Sequence, residues 1–378
     1  MEKLDNFKLE TFFSKWEFKA RYHLCASDAE SMSIRELLQN SGTDPEALLD
    51  LKLGYTETFG NPKLRTEISK LYDKGTADNI LCFCGAEEGI FCAMNALLEH
   101  DDHVVVITPN YQSLETIPGS ICSVSAVSLD PQDNWNLDLE KVEAAIRDNT
   151  KLLVINFPHN PTGKIIPQST QTKLVEMARK KGIYIFSDEV YRMLEHSSEK
   201  RLPQMADIYE RGLSLNVLSK AYGLPGLRIG WIACQDNALL QKMERVKHFL
   251  SICNSAPSEF IAMTALKSRN AITERLRTLL DNNLSILNSF FKKHSTLFKW
   301  HQPDGGCTAF PCYLGPEGTE TFTAELLKKT GVLLLPPSVY YSNAAGRGYE
   351  GFRIGFGRAD MSKALSIVDS YLDTNKYQ

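Results

Sequence analysis

No apolar stretch in this 378-residue chain approaches the roughly 20 residues needed to cross a bilayer as a helix. The opening MEKLDNFKLETFF also lacks the basic start and apolar middle of a secretory signal. A cytoplasmic protein that engages no membrane is the expectation. A large excess of one charge is missing too: 42 lysines and arginines face 46 aspartates and glutamates, a formal net charge of −4 with no long basic run. The electrostatic footprint of a nucleic-acid binder is therefore absent. The nine cysteines are odd in number and scattered, mostly in apolar segments such as IFCAMNALL; Cys82 and Cys84 alternate along one short run, and Cys307 and Cys312 stand five apart. Neither pair has the spacing of a zinc clamp, and the set reads as reduced core thiols, so no metal is expected. Internal repeats and low-complexity tracts are likewise absent.

What is present is ordinary in bulk and patterned in detail. Apolar residues make up 43% and charged residues 23%, as in a soluble globular protein, and the length exceeds the usual size of one compact domain. Short β-branched runs, HVVVITP from His103, KLLVINFP from Lys151 and GIYIFSDE from Gly182, alternate with helical patterns from Ala86 and Ser169. Two more apolar runs, LSLNVLS and LRIGWIAC, flank Lys220. That alternation predicts βαβ units and an α/β fold with a mostly parallel sheet. After Ala238 long helical patterns take over, followed by a short α/β tail containing GVLLLPP and FRIGFGR. The expected organisation is a large domain over residues 51–255, with residues 1–50 and 256–378 together forming a smaller α/β domain.

The stretch SKAYGLPGLRIGW, Ser219 to Trp231, puts Lys220 where a buried strand opens into a loop, and in open α/β sheets ligands bind at such strand ends. Other strand ends also carry polar groups. CGAEEG sets Gly85, Ala86 and Glu87 at a helix start, where free N–H groups favour a phosphate, although the same letters also suit an ordinary helix start. Tyr111 in TPNYQS suits stacking on a flat ring or plain packing. NFPHNPTG presents Asn160, and SDEVY ends an apolar strand on Asp188, a costly place for a carboxylate without a cation. A phosphate cradle, a stacking ring, an amide, a buried aspartate and a lysine together match the needs of pyridoxal 5′-phosphate (PLP).

NPTG, SDEVY, SKAYGLPGLRIGW and FRIGFGR, in that order, resemble the motifs of the fold type I, class I/II aminotransferase superfamily across nearly the whole chain. The resemblance implies Lys220 as the lysine that bonds the cofactor aldehyde and moves protons, with Asp188 at the pyridine nitrogen and Asn160 and Tyr191 at the ring hydroxyl. It further implies Ser219, Arg228 and the Gly85 to Glu87 backbone at the phosphate, and Arg353 on the substrate carboxylate, a position that otherwise reads as a strand-end salt bridge. YTETFGNPKLR looks like the family segment whose tyrosine, here Tyr55, reaches the phosphate of a neighbouring subunit, which implies a homodimer. Two departures stand out: Val217 replaces a common phosphate-binding hydroxyl, and Pro337 stands where glycine is frequent.

A narrower resemblance, in NFPHNPTG, LSKAYGLPGLRIGW, GGCTAFPCY and LETFF, is to the cyclases of this superfamily that close hydroxylated arginines to capreomycidine or enduracididine. It implies a cyclodehydratase, with γ-hydroxy-L-arginine closing to the five-membered ring of enduracididine as the first expectation. A β-hydroxyl giving the six-membered ring of capreomycidine, or simple transamination, is the alternative. A PLP-binding protein without catalysis is disfavoured by the presence of both Lys220 and Asp188. Glu10 is the candidate partner for a substrate guanidinium, unless it is a solvated glutamate on a short amphipathic helix. Asp28 is a second candidate, although SDAE also reads as a helix capping box. His159 reads as structural.

Overall fold

The computed structural model describes residues 4–374. Its centre is a seven-stranded sheet: β1 (Ile80–Phe83), β2 (His103–Thr108), β3 (Ser123–Ser128), β4 (Thr150–Asn156), β5 (Tyr184–Asp188), β6 (Gly212–Val217) and β7 (Gly230–Cys234). The spatial order is β1-β7-β6-β5-β4-β2-β3; β7 runs antiparallel to both neighbours and every other pairing is parallel. Strands β2 and β6 are buried at every position, as expected for a sheet covered by helices on both faces. Phe83, Phe186, Leu215 and Ile232 are fully buried, side chains whose burial is worth roughly 1.5–3 kcal/mol each. The edge strand β3, SVSAVS, is half exposed and serine-rich, and its apolar signal in the sequence is correspondingly weak.

The strand register aligns what the ends of the strands carry. Asn156 pairs with Asp188 at the ends of β4 and β5, and Lys220 follows three residues after β6 ends at Val217. The helix Ala86–Leu97 starts immediately after β1, on the same side of the sheet.

Both chain ends meet beyond the sheet. Tyr22–His23 pairs in parallel with Val332–Leu333, and Thr308–Ala309 pairs antiparallel with Ile354–Gly355. The segment Leu24–Glu30 lies flush against FRIGFGR: the Gly355 N–H donates to the Leu24 carbonyl at 3.0 Å and the Glu30 N–H to the Gly357 carbonyl at 2.7 Å. The two glycines are required by this approach, because a Cβ at Gly355 would lie 2.0 Å from the Ala26 carbonyl oxygen and one at Gly357 2.5 Å from that of Asp28. SDAE therefore opens no helix, since pairing with the C-terminal strand takes its backbone. The capping box of this region is Ser33 with Glu36, at the start of the helix Ile34–Ser41. Among the described residues no helix is long and apolar enough to cross a membrane.

Candidate active site

A cavity of about 780 Å³ opens where the sheet's strand ends face the N-terminal segment. Its floor comes from the sheet. Asp188 is 4% exposed, and one of its oxygens accepts the Val190 N–H at 3.1 Å. Burial raises its carboxyl to about 7, against the opposing pull of that N–H and of Lys220. Burial also lowers the Lys220 amine, while Asp28, Cys307 and Asp188 pull it up and Arg353 pushes it down. The Lys220 Nζ donates to Ser27 Oγ at 2.9 Å. Asn160 stands beside them, its backbone N–H held by Asn156 Oδ1 at 2.8 Å.

At one end the cavity meets the start of Ala86–Leu97, a helix of 12 residues whose N-cap, Gly85, has φ of 90° and no side chain to satisfy the first amides. A Cβ at Gly85 would lie 2.4 Å from Arg228 Nη2, so glycine is what lets that guanidinium reach the helix start. Gly230 is equally confined, its Cβ direction meeting the Ala86 nitrogen at 3.0 Å. Ser219 Oγ, in the same wall, is buried without a hydrogen-bond partner. Tyr111 and Ser113 hydrogen-bond Glu87, whose carboxyl is raised by burial.

The roof is the N-terminal segment. Glu10, Phe13 and Glu17 lie on one face of the helix Lys8–Trp16 and its end, and all three line the cavity. Burial raises the Glu17 carboxyl, and the neighbouring charges of Glu10 and Asp28 add to the effect. Asp28 also lines the cavity and pairs with Arg358 at 2.7 Å.

Other expected residues sit outside the lining. Arg353 is fully buried behind Asn160; its Nε donates to the Cys25 carbonyl at 3.1 Å and its Nη1 to Tyr340 Oη at 2.8 Å, while Nη2 has no partner. Tyr191 is buried, and its hydroxyl donates to the Ser27 carbonyl at 2.8 Å. Tyr55 is 93% exposed. His159 is buried against Thr162, and burial lowers its imidazole to about 3.

The pattern of the aminotransferase class I and II family matches residues 46–366, most of the chain. The chain belongs to this family. Capreomycidine synthase of Streptomyces vinaceus is 28% identical over 376 residues, covering 97% of this chain and 94% of that protein. A PLP-dependent aminotransferase from Streptococcus suis superposes with a TM-score of 0.93 at 31% identity, with both chains fully covered. A PLP-dependent cyclase, OrfR, superposes with a TM-score of 0.89 at 25% identity over 99% of each chain.

The cofactor of this class I and II aminotransferase family member is pyridoxal 5′-phosphate. Three features of the cavity fit that group independently. The bare helix start has room only because residue 85 is glycine, the buried Ser219 hydroxyl lacks a partner, and Asp188 is a buried carboxylate with no counter-charge of its own in contact. A phosphate satisfies the first two and a cationic ring nitrogen the third.

Sequence reasoning missed Phe13, Glu17, Ser27, Tyr340 and Arg358. Glu10, Phe13 and Glu17 were visible as an i, i+3, i+7 face in KLETFFSKW and the residue that follows it. Ser27 and Tyr340 carry no local signal, whereas Arg358 is the final residue of FRIGFGR.

Proposed function

We propose that this protein is a cyclodehydratase that removes one water from a hydroxylated L-arginine, with γ-hydroxy-L-arginine closing to enduracididine as the favoured reaction. The carrying observation is the acidic roof. Arg228 stands at the phosphate end and Arg358 is already paired with Asp28, which leaves Glu10 and Glu17 over the cavity with no ion pair of their own among the described residues and suited to a guanidinium. Full-length similarity to capreomycidine synthase supports the same direction.

In this reading the amides of residues 85–87, Ser219 and Arg228 hold the phosphate, Tyr111 stacks on the ring, Asn160 and Tyr191 serve its hydroxyl side, and Asp188 pairs with the ring nitrogen. Bound PLP supplies an electron sink that acidifies the hydrogens beside the amino group. Lys220, whose ammonium burial disfavours, takes the proton from the α-carbon. Arg353 grips the carboxylate through Nη2, and the acidic roof orients the guanidine over the γ-carbon. There the C–O bond breaks and a C–N bond forms, closing a five-membered ring. A β-hydroxyl would instead place closure on the β-carbon and give a six-membered ring.

Transamination is the second reading, favoured by the 31% identity to the Streptococcus suis aminotransferase. Absorbance separates the two. A cyclase returns the cofactor to its starting aldehyde form after each turnover, whereas amino transfer without keto acid leaves pyridoxamine phosphate.

The working form is proposed to be a homodimer in which Tyr55 reaches the partner's phosphate site. Leu49, Leu53, Tyr55, Phe249 and Ile252 are all more than half exposed, and Thr56 Oγ1 donates to the Asn254 carbonyl at 3.0 Å, which draws the two segments together. Exposed apolar side chains gathered in this way are the mark of a contact surface.

A further inference from the structure

Ser27 comes from the N-terminal segment, 193 residues from Lys220 in sequence, yet its Oγ lies 2.9 Å from the lysine nitrogen. Several contacts fix it there. The Tyr191 hydroxyl and the Cys307 thiol both donate to its carbonyl oxygen, at 2.8 and 3.3 Å. Arg353 holds the Cys25 carbonyl, Arg358 holds the Asp28 carboxylate, and the Glu30 N–H bonds Gly357. Four side-chain donors and two flush glycines hold this one irregular segment in place. The Ser27 hydroxyl itself has Lys220 as its one hydrogen-bond partner among the described residues, and its own hydrogen remains free to point into the cavity.

We propose that Ser27 is a catalytic residue, a relay that takes a proton from Lys220 and passes its own to the hydroxyl that leaves the substrate. The second half of this proposal rests on the cyclodehydratase reading. Lys220 acts as the free amine: it removes the α-proton, releases it to the conjugated system, which returns it to the α-carbon at the end, and then takes a hydrogen from the β-carbon and becomes an ammonium. One ammonium proton then moves to Ser27 Oγ as the Ser27 hydrogen moves to the departing oxygen. The electrons of the broken β C–H bond form a Cβ–Cγ double bond as the γ C–O bond breaks with its pair on oxygen, and water leaves. When the guanidine nitrogen adds to the unsaturated carbon, its N–H proton returns to carbon, so the net change is one water. Lys220 and Ser27 end as they began. Asp28, Asp188, Cys307, Arg353 and Glu17 are charged or titratable groups that act on the lysine, and none of them carries a hydroxyl.

The test uses Ser27→Ala and Ser27→Thr. In cofactor-free protein, the pH dependence of Lys220 acylation by acetic anhydride, read by peptide mass spectrometry, reports the lysine alone. Loss of the accepting hydroxyl is expected to move its titration down by about half a unit to one unit, and threonine to restore it. In the loaded enzyme, exchange of the α-hydrogen of arginine with deuterated solvent should survive in Ser27→Ala, while water loss from hydroxyarginine falls about 100-fold at little-changed KM. An unchanged Lys220 titration, undiminished water loss, or equal loss of exchange and water loss without rescue by threonine would overturn the proposal. Should the wild-type protein release no water from any hydroxyarginine, the cyclodehydratase reading fails and the relay to substrate with it. The Lys220 titration then decides separately whether Ser27 is the lysine's proton partner.

Discussion

Arg353 Nη1 donates to Tyr340 Oη at 2.8 Å while Nη2 of the same buried guanidinium has no partner. Tyr340 is placed by a short 3₁₀ turn, Pro337–Tyr340, which Pro337 opens with its fixed φ. Pro337, where the chain departs from the family pattern, thus helps to aim one arm of the fork, and the other arm is without a partner. A lone buried N–H of a charged group costs about 1–3 kcal/mol unless a substrate carboxylate satisfies it. Arg353→Lys, which cannot reproduce the fork, is expected to raise KM for amino acids by roughly 100-fold. Tyr340→Phe should raise it by a smaller factor, about tenfold, with kcat nearly unchanged. Steady-state kinetics on both variants checks this, and an unaltered KM in Arg353→Lys would remove Arg353 from the carboxylate site.

Asp188 sets a pH dependence with a definite sign. Its folded-state pKa, about 7, exceeds the ordinary 3.8, so between these values the folded protein binds more protons than the unfolded chain. Stability of the cofactor-free protein therefore contains a contribution that is unfavourable above the unfolded pKa and grows until pH passes about 7. Asp188→Asn removes it. The variant should match the wild type near pH 4 and exceed it by a few kcal/mol, to order of magnitude, at pH 8 when both lack cofactor. Thermal melts across that range are the check. PLP should stabilise the wild type and much less the variant.

Glu10 and Glu17 give the roof its charge. Glu10→Gln and Glu17→Gln should each raise KM for guanidine-bearing substrates about tenfold and leave PLP affinity unchanged, since neither is among the groups assigned to the cofactor. Michaelis constants for arginine-type and neutral amino acids, compared side by side, decide whether the effect belongs to the cation. An equal change for both classes would assign these glutamates to roof packing instead.

Lys247 ties the Tyr55 segment down. It is buried, and its Nζ donates to the carbonyls of Thr58 and Cys82 at 2.7 and 2.8 Å. Lys247→Met leaves both carbonyls unpaired, at a cost of about 2–5 kcal/mol, and frees the segment that carries Tyr55. Sedimentation equilibrium should show a dimer for the wild type and a weaker one for the variant. A monomeric wild type would end the cross-subunit role of Tyr55.

How much of this was legible beforehand follows from where each residue's partners lie in the chain. Lys220, Asp188 and Asn160 could be placed because Asp188 ends a buried apolar strand and the other two follow one, and a parallel sheet sends such strand ends to one edge. The edge strand SVSAVS and the four-residue strand ILCF were passed over, one for its serines and the other for its brevity. Ser27 and Tyr340 reach the site through pairing of distant segments, Leu24 with Gly355 and Leu335 with Arg353, which no local pattern encodes. The alternative reading of SDAE as a capping box gives way for the same reason: long-range backbone pairing overrides a local capping signal. The glycines of FRIGFGR were the available clue, because small residues at such close spacing mark a backbone that another segment must approach.

The most direct test of the central claim is mass spectrometry of the PLP-loaded protein incubated separately with γ-hydroxyarginine, β-hydroxyarginine and arginine, with and without a keto acid. The account predicts loss of one water from γ-hydroxyarginine without keto acid, and no change in arginine under the same conditions. Exchange of the amino group only when keto acid is present, with no water lost from either hydroxyarginine, would contradict it and make this protein an aminotransferase.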